Sequence, residues 1–202
     1  MLRVKQLGLK DYASTWQQMR EFTDARGSET PDEIWLLEHP PVFTQGQAGR
    51  AEHVLNPGNI PVIQTDRGGQ VTYHGPGQLV AYLLFDLKRL DTGIRTFVTT
   101  IEQAVINLLA EYGINAHGDR SAPGVYVEGH GKICAIGLRV RHGCTYHGIA
   151  FNINMDLEPY SRINPCGVAQ SPITQTADLG GPTTVQEAGE RFVQQLRTLL
   201  VQ

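Results

Sequence analysis

Apolar residues recur at helical spacing in two long stretches of the chain. Between Ile94 and Tyr112, the side chains of Phe97, Ile101, Val105, Leu108 and Tyr112 fall on one face, and Gly113 follows as a stop. Between Thr184 and Val201, Phe192, Leu196, Leu199 and Leu200 form a second stripe, and Thr184 with Glu187 has the spacing of a capping box. Tyr12, Trp16 and Met19 share a face over Asp11–Phe22 and predict a third helix. The remaining apolar runs are short and predict strands at Glu33–His39, Val62–Thr65, Leu79–Leu87, Gly124–Val127, Ile133–Arg141 and Cys144–Asn154. The pair His142-Gly143 between the last two predicts an antiparallel hairpin. Strands outnumber helices and do not alternate with them strictly. The pattern therefore predicts an α+β (mixed α/β) fold, a mixed and largely antiparallel sheet packed on helices, over a doubly wound one. No repeat, low-complexity tract or linker interrupts residues 1–202, which read as a single domain.

Composition narrows the class. At 202 residues the chain is long enough to bury about 70% of the surface its unfolded form exposes. With 41% hydrophobic and 18% charged residues it reads as soluble and globular, not disordered. A formal net charge of −3 gives no footprint for nucleic acid. Three widely spaced cysteines, Cys134, Cys144 and Cys166, make no disulfide framework and suit a reducing, cytoplasmic compartment. The opening MLRVKQLGLKDY has no long apolar run, so no signal peptide is expected, and no membrane-spanning stretch is expected elsewhere.

Candidate chemistry lies in three places. The segment Asp66–Gln78 carries Gly68, Gly69, Gly75 and Gly77 together with Arg67 and His74. It reads either as a turn between strands or as a loop that wraps a ligand, because glycine lets backbone approach a ligand closely. It is neither a P-loop nor a dinucleotide fingerprint. Cys166 sits between Pro165 and Gly167, in a turn where a thiolate has access, although most free cysteines are small buried hydrophobes. Lys132 opens a nearly apolar strand. There it is either a solvated strand end or a partly desolvated cation able to lower the pKa of a nearby thiol. Strict alternation places Lys132 with Cys134 on one face and Ile133 with Ala135 on the other. Cys134 and Cys144 read as structural, and a zinc site from His142, Cys144, His147 and Cys166 matches no usual spacing. Arg139 and Arg141 share a strand face, either the wet side of a sheet or a docking patch for an acidic partner.

These residues carry a family resemblance. LEHPPVFTQG at Leu37–Gly46, RGGQVTYHGPGQLVAY at Arg67–Tyr82, APGVYV at Ala122–Val127, KICAIGLRV at Lys132–Val140 and YHGIAFNINMDLEPYSRINPCG at Tyr146–Gly167 resemble, in order, the lipoyl(octanoyl) transferases of lipoic acid biosynthesis. Those enzymes are related to the biotin and lipoate protein ligases. One departure is AYLLFDL, where the family more often has proline after the tyrosine. The resemblance implies a biotin/lipoate ligase-like catalytic domain and an acyltransferase with Cys166 as nucleophile and Lys132 as its activator. It implies an acyl pocket made by Arg67, Gly68, Gly69, Gln70, Val71, Thr72, Tyr73 and His74 with Ala135, Ile136, Gly137, Gly148, Ile149 and Ala150. The small residues among these leave room for an alkyl chain, each buried methylene contributing about 0.8 kcal/mol. The implied donor is octanoyl-acyl carrier protein. The implied acceptors are lysines of the lipoyl domains of 2-oxoacid dehydrogenases and of the glycine cleavage H protein. No cofactor or metal, no nucleic acid and no membrane are implied. The alternative is an ATP-dependent lipoate or biotin ligase, although the biotin ligase GRGRxGR-type loop is absent and a ligase has no need of the NPCG cysteine.

Overall fold

The computed structural model describes residues 2–165 and 171–201. Its elements run β1 (Leu2–Leu9), α1 (Tyr12–Asp24), β2 (Asp32–Glu38), β3 (Val42–Gln45), β4 (Val62–Gln64), β5 (Val71–His74), β6 (Gln78–Leu84), α2 (Ile94–Ala110), β7 (Ala116–Gly118), β8 (Gly124–Val127), β9 (Gly131–Arg141), β10 (Cys144–Asn152) and α3 (Val185–Leu200), joined by short 3-10 turns. A seven-stranded sheet has the order β1-β2-β6-β10-β9-β8-β7, and β4-β3-β5 make a second, smaller sheet. Among the strands of the described residues, only β1/β2 and β3/β4 pair in parallel. The fold is therefore α+β with a mixed, mostly antiparallel sheet.

Strand β6 lies inside the large sheet, and its alternation sorts the two faces. Leu79, Ala81 and Leu83 join Ile34, Leu36, Phe97, Ile101, Leu108, Phe192 and Leu196 in the main core under α2 and α3. Val80, Tyr82 and Leu84 point the other way and pack with Trp35, Leu37, Tyr146 and Met19 of α1. A fully buried Leu or Phe contributes about 1.5–3 kcal/mol, so burial on both faces makes β6 a keystone of the fold. A third cluster of Phe43, Val71, Tyr73, Met155, Tyr160 and Ile163 seats the small sheet.

All three predicted helices are present. Asp11 caps α1 by accepting from Ser14 N at 2.9 Å. Thr184 caps α3 by accepting from Glu187 N at 3.2 Å, while the Glu187 carboxylate takes the Tyr112 hydroxyl at 2.7 Å. Gly113 leaves α2 at φ +73°, two residues beyond the last helical turn's C-cap. His142 and Gly143 both have positive φ, as a two-residue hairpin of this twist requires. Four strands went unpredicted. β1 is a half-exposed edge strand broken by a bulge at Leu7, β3 and β5 are four residues each among Gly and Pro, and β7 has three residues.

One prediction needs correction. Lys132 and Cys134 do not share a face. Against β8, Cys134 pairs with Val125 and Lys132 with Tyr126, so Ile133 is an extra residue in a β-bulge. Ile133 and Cys134 both enter the main core, whereas Lys132 and Ala135 both line a cavity on the opposite face.

Candidate active site

A cavity of about 320 Å³ lies between the α1 face of the large sheet and the loop that leads into β5. Val80, Tyr82, Ala135, Gly137, Gly148 and Ala150 supply its floor, with Ile136 and Ile149 at their sides. Arg67, Gly68, Gly69, Gln70, Val71, Thr72 and His74 line the facing wall, and Tyr12 enters from α1. Lys132, Ser121, Ala122, Pro123, Pro165 and Ile173 gather at another part of its lining. Of the predicted pocket residues only Tyr73 is elsewhere. Its ring is packed against Phe43 and Tyr160 in the third cluster.

The wall loop holds itself in shape. Arg67, buried, donates to Thr44 O at 2.5 Å, Thr44 Oγ1 at 3.0 Å, Gln70 O at 2.7 Å and Gly68 O at 2.8 Å. Its charge thus ties the loop's carbonyls to Thr44 of β3. Gly68 N donates to Leu138 O on β9 at 3.1 Å and fastens the loop to the floor. Gly46 runs beneath; a Cβ there would stand 2.3 Å from Gly69 O. His74 is bound through Nδ1 to Gln78 Oε1 at 2.7 Å and through Nε2 to Thr44 Oγ1 at 3.2 Å. Burial, reinforced by the charge of Arg67, holds its pKa well below the usual histidine range. His74 is therefore neutral and engaged at both ring nitrogens.

Lys132 is 7% exposed, and its Nζ stands 4.9 Å from the centre of the Tyr126 ring. Its backbone is pinned on both sides: N donates to Pro172 O at 2.9 Å and O accepts from Thr174 N at 3.0 Å. Two glycines make this possible. A Cβ on Gly131 would meet Pro172 O at 2.1 Å, and one on Gly124 would meet Cys134 O at 2.6 Å and crowd Lys132 Nζ at 3.4 Å. Glu102 of α2 accepts from Gly124 N at 3.0 Å and anchors that turn. Cys166 lies outside the described residues; Pro165 before it and Ile173 beyond it both line the cavity that Lys132 lines. The other two cysteines are buried, and burial pushes both thiols up, so they stay protonated and inert. Among the described residues no three His, Cys, Asp or Glu side chains cluster as metal ligands do.

Sequence reasoning missed the far end of the cavity. Asp66 accepts from Trp16 Nε1 at 2.8 Å, from His147 Nε2 at 2.9 Å and from the Tyr146 hydroxyl. Burial opposes its ionisation, but these three hydrogen bonds outweigh it and hold the carboxyl well below the usual range. Burial keeps His147 neutral against the pull of Asp66. Its Nε2–H is given to Asp66, and Nδ1 is left as a buried acceptor without a partner among the described residues. His147 also has φ +59°, a left-handed conformation that costs about 1–3 kcal/mol in a non-glycine residue. The signal was available in part, since Asp66 abuts the glycine-rich loop and His147 abuts Gly148. On the surface nearby, Arg139 donates to Gln47 Oε1 at 2.7 Å and Arg141 pairs with Asp24 at 2.6 Å.

The chain belongs to the lipoyl protein ligase A/B catalytic domain family, whose model matches residues 11–197. Within it, its similarity runs to octanoyltransferases. That of Vibrio vulnificus is 59% identical over 199 residues, 98% of this chain and 91% of that protein. That of Shewanella oneidensis is 57% identical over 199 residues, with the same coverage of 98% and 91%. Among solved structures, a lipoate-protein ligase A bound with ATP has a TM-score of 0.81 at 17% identity, covering 98% of this chain and 85% of that one. The bi-partite lipoate protein ligase from Thermoplasma acidophilum has a TM-score of 0.78 at 16% identity, covering 98% and 83%. At such identities the structural likeness carries the fold alone.

Proposed function

We infer that the chain is an octanoyltransferase of lipoate biosynthesis, a single catalytic domain that moves an octanoyl group from octanoyl-acyl carrier protein to a lysine of lipoyl domains. Those domains are carried by 2-oxoacid dehydrogenases and the glycine cleavage H protein, and the compartment is the cytoplasm. No helix among the described residues is long and apolar enough to cross a membrane. The high identity over almost the whole chain is to octanoyltransferases, whereas the ligases share only the fold. The observation that carries the mechanism is Lys132. It is a buried cation on a small-residue cavity, and the residues flanking the 166–170 segment line that same cavity.

The thiolate of Cys166 attacks the thioester carbonyl at the Lys132 end of the cavity, where the Lys132 ammonium faces the developing negative charge. The carrier's thiolate leaves with the sulfur and takes a proton from Lys132. The octanoyl group is now a thioester on Cys166 and Lys132 is neutral. Neutral Lys132 accepts a proton from the incoming lysine ammonium, whose freed amine attacks the acyl-enzyme. The amide forms, Cys166 leaves as thiolate, and the remaining proton passes to solvent. The donor is already activated, so the chemistry asks for no nucleotide or metal. The carrier docks on Arg139 and Arg141, which suit an acidic partner.

Intact-mass analysis after mixing with octanoyl-carrier tests the mechanism. One octanoyl adduct is expected on the wild type and none on Cys166→Ala. Normal transfer to a lipoyl domain by Cys166→Ala would sink it. For Lys132→Ala, the pH dependence of Cys166 alkylation moves to higher pH; an unchanged profile removes the activation step.

A further inference from the structure

Opposite residues on β6, β10 and β9 form cross-strand rows on the face that floors the cavity. The first row is Val80, Ala150 and Ala135; the second is Tyr82, Gly148 and Gly137. The next residues on that face are Tyr146 and Arg139. The small residues of the first two rows leave a furrow, and Tyr146, buried and bonded to Asp66, ends it. His147 reinforces this end. Its ring stacks on Tyr146 at 5.0 Å and stands edge-on to Tyr82 at 6.1 Å. From α1, Trp16 fastens to Asp66 at this end, whereas Tyr12 lines the cavity beside His74, on which its ring stacks at 5.7 Å. The opposite end of the furrow is polar. Beyond the first row Gln78 pairs with Asn152, the two amides bonded at 3.0 Å, and Lys132 follows on β9.

The lengths agree with one orientation of the ligand. From Ala135 to Leu138, the partner of His147, the strand advances about 10 Å at roughly 3.3 Å per residue. An extended eight-carbon chain with C–C bonds of about 1.5 Å measures roughly 9 Å. We propose that Tyr146 and His147, held by Asp66, form a wall that fixes the acyl chain at eight carbons, its carbonyl at the Lys132 end. The inference rests on the reading that this cavity takes the acyl chain. It assigns Tyr146 and His147 as specificity-determining residues, and it explains a left-handed histidine inside a strand: the turned backbone brings a second ring across the furrow.

A competition assay tests it. The full-length protein is given equal amounts of hexanoyl-, octanoyl-, decanoyl- and dodecanoyl-carrier with a lipoyl domain, and the acylated domain is read by intact mass. Wild type favours octanoyl. Ala135→Val fills the first row, which every chain passes, and lowers total acylation about tenfold, on the scale of one to two methylenes of lost burial, with the ratios between chains little changed. His147→Gly, whose backbone suits the positive φ, opens the wall and raises the decanoyl-to-octanoyl ratio about tenfold. Tyr146→Leu shortens the other ring and decides the matter where His147→Gly melts below the assay temperature. Undiminished acylation by Ala135→Val means that the acyl chain does not lie in this furrow, and the cavity reading falls. A loss in Ala135→Val with an unmoved octanoyl optimum in folded opening variants leaves the cavity reading intact and overturns the wall.

Discussion

Removing the Asp66 carboxylate tests how the far end of the cavity is held together. In Asp66→Ala three donors lose one acceptor group: Trp16 Nε1–H, His147 Nε2–H and Tyr146 O–H. His147 and Tyr146 are each 1% exposed, so water replaces the carboxylate poorly for them. An unsatisfied buried donor costs about 1–3 kcal/mol, which puts the loss at roughly 2–6 kcal/mol for the pair. With a urea m-value of about 2 kcal/mol/M, the unfolding midpoint drops by roughly 1–3 M. Asp66→Asn keeps one acceptor oxygen and is expected to lose about half as much. The sign of the pH effect follows from the shift. The folded carboxyl is held below its unfolded value of about 3.9. Its stabilisation is therefore present above that value and fades as pH falls below it. Both variants flatten the acid limb of the stability curve. A midpoint for Asp66→Ala within about 0.2 M of wild type at pH 7 would refute the claim that this carboxylate satisfies buried donors.

Other perturbations have equally definite outcomes. His39, bonded to Lys10 O and the Tyr82 hydroxyl, is lowered by burial to about 4. The unfolded chain takes up that proton first, so urea stability falls between about pH 6.5 and pH 4, less steeply in His39→Gln. Gly131→Ala brings a Cβ within 2.1 Å of Pro172 O at φ +96°, and should cost more than about 2 kcal/mol while disturbing Lys132; thiol alkylation kinetics and melting report the two effects separately. Thr184→Ala removes the α3 cap and is expected to lower stability by about 1 kcal/mol with transfer activity unchanged. Reversing Arg139 and Arg141 together should raise the KM for the acyl carrier and leave melting nearly unmoved; unaltered kinetics would return both residues to ordinary surface.

Much of the fold was legible because it follows simple periods. Phe97, Ile101, Val105 and Leu108 announce α2 at helical spacing, and the buried run of β6 announces an inner strand. The strands that escaped lack such a signature. β1 buries none of its residues fully, since it is an edge strand, and β3 and β5 earn their burial from the small sheet rather than from any pattern of their own. Register was the deeper loss. Nothing in the string KICAIG says that Ile133 is extra, because a bulge is fixed by the partner strand β8 and not by local preference.

The same irregularities that hide the site are what build it. A strictly alternating β9 would turn Lys132 to the face that holds Cys134, into the apolar core under α2, where a cation has no partner to repay its desolvation. The bulge at Ile133 sends Lys132 to the cavity instead, and Gly131 and Gly124 supply the two close approaches that hold it there. At the other end, a β-region His147 would continue the alternation and leave the furrow open past Gly148; its positive φ turns it across the path. Each departure costs local stability, and none adds to a core. A periodic reading of the sequence finds what is buried for stability. The two ends of this cavity are shaped where the period fails, which is why motif and resemblance gave Lys132 a role but gave none to Asp66.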